Sequence, residues 1–203
     1  MATTKKKSSI KAEELAKEQK QVSVSEFFLK NRHLLGFDNP LKALSTTVKE
    51  LVDNALDACE EMRVLPEIII QIKPAGENRF VIVVEDNGPG IVKKQIPNVF
   101  ARLLYGSKFH SMKQGRGQQG IGVSASVLYG QLTTGKSTKI TSRIDPKHKA
   151  HYFELNINTL KNEPEIVTDK EIEWMNKDHG TKVELELEGK YQKGKLSVDE
   201  YVK

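Results

Sequence analysis

The stretch NPLKALSTTVKELVDNALDACEEM, residues 39–62, decides the reading of this chain. Asn39 followed by Pro40 has the chemistry of an N-cap with proline at the first helical position, and the pattern that follows predicts a helix through to Met62. At 100° per residue, Leu44, Val48, Leu51, Val52, Ala55 and Cys59 fall on one side, whereas Glu50, Asn54, Asp57 and Glu61 fall on the other. One face is expected to be core and the other polar. Glu50 and Asn54 lie one turn apart on the polar face, so a carboxylate and an amide oxygen point at the same place. An amide oxygen suits Mg²⁺, a hard cation that keeps water and phosphate as its other ligands, and a carboxylate beside it can orient and deprotonate water. A solvated helix face explains the same pattern.

Downstream, Glu67 to Lys73 and Arg79 to Glu85 read as two strands joined through Pro74-Ala75-Gly76-Glu77-Asn78. The second strand runs into Asp86-Asn87-Gly88-Pro89-Gly90, where the glycines let the backbone turn tightly beside the carboxylate. Asp86 there can accept the exocyclic amine of adenine, or simply close a turn through an Asx bond. A helix is expected from about Lys94 to Leu104, followed by a polar stretch from Gly106 to Gln119 that is long for a plain connector. A small helix from about Gly122 to Tyr129 and strands near Lys139 to Ile144, His151 to Ile157 and Lys182 to Leu187 complete the pattern. Gly117, Gly120 and Gly122 precede that small helix, where bare N–H groups and the helix dipole favour phosphate; a structural loop is the alternative. Helices mixed with hairpin-like strands, and few parallel crossovers, predict an α+β fold: a two-layer sandwich of a mixed, mostly antiparallel sheet with helices on one face.

Upstream, Ser23 and Glu26 form a capping box ahead of the apolar Phe27, Phe28 and Leu29, and a short helix ending near Arg32 is expected to open the folded domain, residues 23–203. Residues 1–22 are lysine-rich and read as a mobile basic arm. With 203 residues and a mean hydropathy of -0.50, the chain supports one main core. Apolar runs such as Ile68 to Ile70 and Val81 to Val84 are far too short to span a bilayer, so a soluble cytoplasmic protein without membrane association is expected. The single Cys59 excludes an internal disulfide, and His33, His110, His148, His151 and His179 have no strong ligand spacing. His148 and His151 are expected at the surface. A net charge of +5 is compatible with a polyanionic partner without establishing one.

Two motifs are set aside on context. Gly115 to Gly120 satisfies G-x-G-x-x-G, yet no strand precedes it. Gly130 to Ser137 satisfies G-x-x-x-x-G-K-[ST], but a helix precedes it and a strand follows, the reverse of what a phosphate-binding P-loop needs.

In order and spacing, E-x-x-x-N-x-x-D at 50–57, D-x-G-x-G at 86–90, G-x-x-G-x-G at 117–122 and Gly180-Thr181 resemble the four nucleotide boxes of the gyrase, chaperone, histidine-kinase and mismatch-repair ATPases. Gly117 to Gly122 with Leu104 to His110 before it, Glu50 to Ala58, and Glu26-Phe27-Phe28 with Asn31-Arg32 look like the branch formed by the B subunits of type IIB topoisomerases, from about Val22 to the C-terminus. The resemblance implies a Bergerat-type α/β sandwich with ATP between helices and a closing lid. By position it implies Glu50 as general base, Asn54 as Mg²⁺ ligand and Asp86 as adenine acceptor, with Gly88, Gly90 and Thr181 around it. It further implies Ser107 and Lys108 as lid contacts, and Gly117, Gln118, Gln119, Gly120, Ile121, Gly122, Val123 and Ser124 as the phosphate cradle. Partners implied are a second B subunit on ATP binding, an A subunit that carries the cleavage chemistry in an assembly of two A and two B subunits, and double-stranded DNA, in a nucleoid-associated, archaeal-type setting. The family's helical and transducer domains, with a lysine that reaches the terminal phosphate, have no counterpart before Lys203. Other readings of the same fold are a phosphotransferase or chaperone module, or a nucleotide-binding adaptor without catalysis. Glu50 argues against the last.

Overall fold

A computed structural model describes residues 23–105, 121–194 and 197–203. The basic arm, Ser107, Lys108 and the Gly117 to Gly120 segment lie outside these residues. Helix α1 (Val24–Asn31) starts at Ser23, whose hydroxyl accepts from the Glu26 N–H at 3.2 Å. The side chain of Glu26 bonds Lys30 at 2.8 Å. Helix α2 (Pro40–Met62) begins as expected, with Asn39 Oδ1 accepting from the Lys42 N–H at 2.9 Å, and every residue assigned to its core face is buried.

Six strands follow: β1 (Ile69–Gly76), β2 (Arg79–Glu85), β3 (Thr138–Arg143), β4 (Ala150–Asn158), β5 (Glu163–Ile172) and β6 (Gly180–Glu188). They form one sheet in the order β1-β2-β6-β3-β4-β5, and every pairing is antiparallel, a stricter arrangement than the mixed sheet expected. Register puts Ile82 opposite Leu185, Val84 opposite Val183, and Ile140 between Val183 and Phe153. These residues form one apolar sheet face, buried with Leu44, Val48, Leu51, Ala125 and Leu128 of α2 and α4 (Gly122–Thr134). The result is the two-layer α/β sandwich, with a 3₁₀ turn (Lys93–Gln95), α3 (Ile96–Ala101) and α5 (Val198–Val202) completing the helical elements among the described residues.

Several boundaries differ from the sequence reading for identifiable reasons. Strand β1 starts two residues later than expected and continues through Pro74, which an edge strand tolerates because no neighbour needs the missing N–H. The helix expected from Lys94 to Leu104 is only the short α3. Pro97 sits in its first turn, and Asn162 stops it by bonding both the N–H (2.9 Å) and the carbonyl (3.1 Å) of Leu103. Helix α4 runs five residues beyond Tyr129, so most of the P-loop-like segment is helix, with Gly135 as its left-handed C-cap. His148 is exposed, but His151 is half-buried on β4, because register places it opposite Ser142. Strand β5 and helix α5 had no clear sequence signal. The β5 segment, rich in Glu, Asp and Lys, lacks alternation because it forms the sheet's other edge.

Candidate nucleotide-binding site

Helix α2 meets the amino end of α4 at Glu50 and the Asp86–Gly90 turn at Ala58. At the α4 end, the Glu50 carboxylate lies directly against Gly122, occupying the space that any Cβ there would need. The first intrahelical bond of α4 runs from the Ala125 N–H to the Ile121 carbonyl at 2.8 Å. The N–H groups of Gly122, Val123 and Ser124 therefore precede the helical ladder and suit an anion. Ser124 offers only its backbone, since its buried hydroxyl donates to the Ile121 carbonyl at 3.0 Å; Ile121 itself is buried and Val123 packs on the core.

Asn54 donates its amide N–H to the Glu50 carbonyl at 2.6 Å. That bond orients the side chain and leaves the amide oxygen outside it. Two turns along from Glu50, about 12 Å by helical rise, Ala58 faces the glycine turn: a Cβ added to Gly88 would stand 3.0 Å from Ala58 Cβ.

Asp86 directly follows β2 and is only 7% exposed. Its Oδ1 accepts from the Gly88 N–H at 2.8 Å and the Thr181 N–H at 3.1 Å, while its own N–H donates to the Thr181 carbonyl at 2.9 Å. The Asx bond considered from sequence is therefore present, but it uses one oxygen. Among the described residues no donor reaches Oδ2. Burial raises the Asp86 pKa, opposed by the two N–H donors. Burial, and then the charge of Asp86, also push the Cys59 thiol up, and Cys59 donates to Asn87 Oδ1 at 3.2 Å. Gly90 and Gly180 have φ of 70° and 141°, and a Cβ on either would run into backbone, that of Arg143 or Asp86.

Supporting residues emerge only in three dimensions. The Ser142 hydroxyl accepts from the Ile91 N–H at 2.8 Å, donates to the Gly180 carbonyl at 3.1 Å and lies 3.2 Å from the Thr181 hydroxyl. His179 Nδ1 donates to the Gly88 carbonyl at 2.8 Å. On a flank of α2, about 60° around from Glu50 at 100° per residue, the 4% exposed Asp53 is held by Lys49 at 2.5 Å and by the Tyr201 hydroxyl of α5 at 2.6 Å. Helical periodicity puts Asp53 towards the polar side, and periodicity has no means of showing that a helix from the far end of the chain covers it.

The family model described as histidine kinase-, DNA gyrase B-, and HSP90-like ATPase matches residues 42–181, which hold all but the first two residues of α2, the Asp86 turn and Thr181. The chain belongs to that ATPase family. It is 58% identical over 193 residues to the B subunit of type 2 DNA topoisomerase 6 from Methanosarcina barkeri, and 56% identical over 185 residues to that from Archaeoglobus fulgidus. These alignments cover 95% and 91% of the chain but only 31% and 30% of the relatives, so the chain spans about a third of their length. Among solved structures, the ATPase and transducer domains of DNA topoisomerase II from Balamuthia mandrillaris share the fold, with a TM-score of 0.52 and 18% identity over 71% of this chain and 37% of that one. No helix among the described residues is long and apolar enough to cross a membrane.

Proposed function

We propose that this ATPase-family chain binds ATP with Mg²⁺ along α2, hydrolyses it with Glu50 as general base, and serves as the ATP-operated gate in the B subunit of a type IIB topoisomerase. The observation that carries the site assignment is the pair of groups set at two places along α2. Asp86, at one of them, has one carboxylate oxygen saturated by backbone and the other open to an amine donor. Glu50, at the other, stands at the free N–H groups of α4. Adenine on Asp86 and the phosphates on the amino end of α4 bring the terminal phosphate to Glu50, which takes the proton of the attacking water. Bound through the Asn54 amide oxygen, Mg²⁺ would neutralise phosphate charge and draw its other ligands from phosphate and water. Ser107, Lys108 and Gly117 to Gly120 enter this reading through the family resemblance alone.

ATP binding then draws two B subunits together, hydrolysis releases them, and a partner A subunit cuts the DNA that passes, in an assembly of two A and two B subunits. Support for this wider role is the similarity to topoisomerase 6 B subunits. The test is Glu50→Ala in a form of the protein that turns over ATP. ATP affinity is expected to persist while turnover falls about 10²–10⁴-fold, the scale of a lost general base. Turnover at the parental rate would remove the catalytic half of the reading.

A further inference from the structure

We propose that Arg143 is a positioning residue that sets the adenine specificity of the Asp86 pocket by lashing the 173–179 loop to the end of β3. The proposal rests on the assignment of Asp86 as adenine acceptor and adds the device that holds the acceptor in place.

The Arg143 guanidinium is directed entirely at main chain. Nε donates to the carbonyls of Asp145 (3.0 Å) and His148 (2.8 Å), Nη2 to that of Pro146 (2.7 Å), and Nη1 to those of Lys177 (2.9 Å) and Trp174 (3.4 Å). Among the described residues no carboxylate pairs with it. One planar cation thus gathers carbonyls from two separate loops, the β3–β4 turn and the β5–β6 connection. Only a guanidinium presents donors in such a fixed fork; a lysine at this position supplies one nitrogen on a flexible stem.

What the second loop carries explains the consequence. Lys177, whose carbonyl Arg143 holds, pairs through its ammonium with Glu85 at 3.1 Å, the residue before Asp86. Two positions on, His179 donates to the Gly88 carbonyl. Gly180 then lies against the Asp86 carbonyl, and the Thr181 N–H bonds Asp86 Oδ1. The backbone of Arg143 closes the circuit, since it pairs with Gly180 in the sheet and its carbonyl fills the space beside Gly90. The direction of Asp86 Oδ2 is therefore set by the loop on which Arg143 pulls. A hydrogen bond to an incoming amine depends steeply on that direction.

The test compares affinities for ATP and for purine riboside triphosphate, which lacks the exocyclic amine, by calorimetry on the chain and on Arg143→Lys, with Asp86→Ala as reference. The parent is expected to prefer ATP, and Asp86→Ala to lose the preference. Arg143→Lys is expected to lower the preference by roughly three- to tenfold, the scale of one weakened hydrogen bond, mainly by weakening ATP. General loosening of the fold would weaken both nucleotides alike and overturn the proposal. So would a preference unchanged in Arg143→Lys while Asp86→Ala abolishes it, an outcome that leaves the Asp86 assignment standing. No preference in the parent would overturn the adenine assignment and this proposal with it. If Arg143→Lys fails to fold, Lys177→Ala, which cuts the Glu85 tie downstream of Arg143, is read in the same way.

Discussion

In the reading proposed above, the two oxygens of Asp86 serve fold and ligand separately. Its Oδ1 is committed to the Gly88 and Thr181 N–H groups, and among the described residues no donor reaches its Oδ2. Asp86→Asn keeps an oxygen for the two backbone donors and turns an amino group towards adenine, which is itself a donor there. Asp86→Asn is therefore expected to unfold thermally at or above the parental temperature while losing ATP affinity, by about 1–3 kcal/mol in calorimetry. The same buried carboxyl gives a signed pH effect. Because burial raises its pKa in the folded state, the native protein takes up this proton at higher pH than the unfolded chain does. This group therefore adds stability as pH falls from the raised value towards the ordinary carboxylate range near 4. Denaturant titrations across that window are expected to show the increment in the parent and to lack it in Asp86→Asn.

At the level of elements, the amino end of α4 and the polar side of α2 are fitted to each other through one missing methyl group. Gly122→Ala suits a helix and requires no unusual backbone angle, yet its Cβ would occupy the place of the Glu50 carboxylate. The expected outcome is a chain of parental thermal stability whose ATP turnover drops towards that of Glu50→Ala, measured in the same turnover-competent form. Helix α5 makes a different use of α2, fastening its flank through Tyr201 and the buried Asp53. Removing the Tyr201 hydroxyl leaves Asp53 Oδ1 without its donor while Lys49 still holds Oδ2, so Tyr201→Phe is expected to cost about 1 kcal/mol in urea denaturation. Neither contact was readable from periodicity. Spacing places Glu50 and Asn54 together because both belong to one helix, but it carries no information about which distant residue meets them.

For the whole molecule, the proposed site draws on segments far apart in sequence, so a ligand that bridges α2, the Asp86 turn and the head of α4 is expected to stabilise the native state against unfolding. At a free ATP concentration 100 times the dissociation constant, the gain is about 2.7 kcal/mol. A scan with saturating Mg²⁺ and a non-hydrolysable ATP analogue is expected to show the corresponding rise in unfolding temperature. Chelation of the metal, or Asn54→Ala, is expected to reduce it. The absence of any shift at saturating nucleotide would count against the proposed binding site.

Local physics, legible in the sequence by itself, settled much of this protein: Asn39-Pro40 begins α2, its 3.6-residue period separates core from site, and the glycines after Asp86 announce a turn built around a carboxylate. These signals lie within a few turns of chain, where backbone propensity and side-chain spacing act directly. Tertiary structure alone decided that Thr181 meets Asp86, that Gly122 lies against Glu50, that Tyr201 bonds the buried Asp53, and that Arg143 ties two loops together. It also turned the charged 163–172 segment into an edge strand, since the backbone of β4 supplies the pairing that its own side chains do not advertise. Each of those outcomes depends on contacts between residues distant in sequence, and such contacts are chosen by how the sheet and the helices pack as a whole.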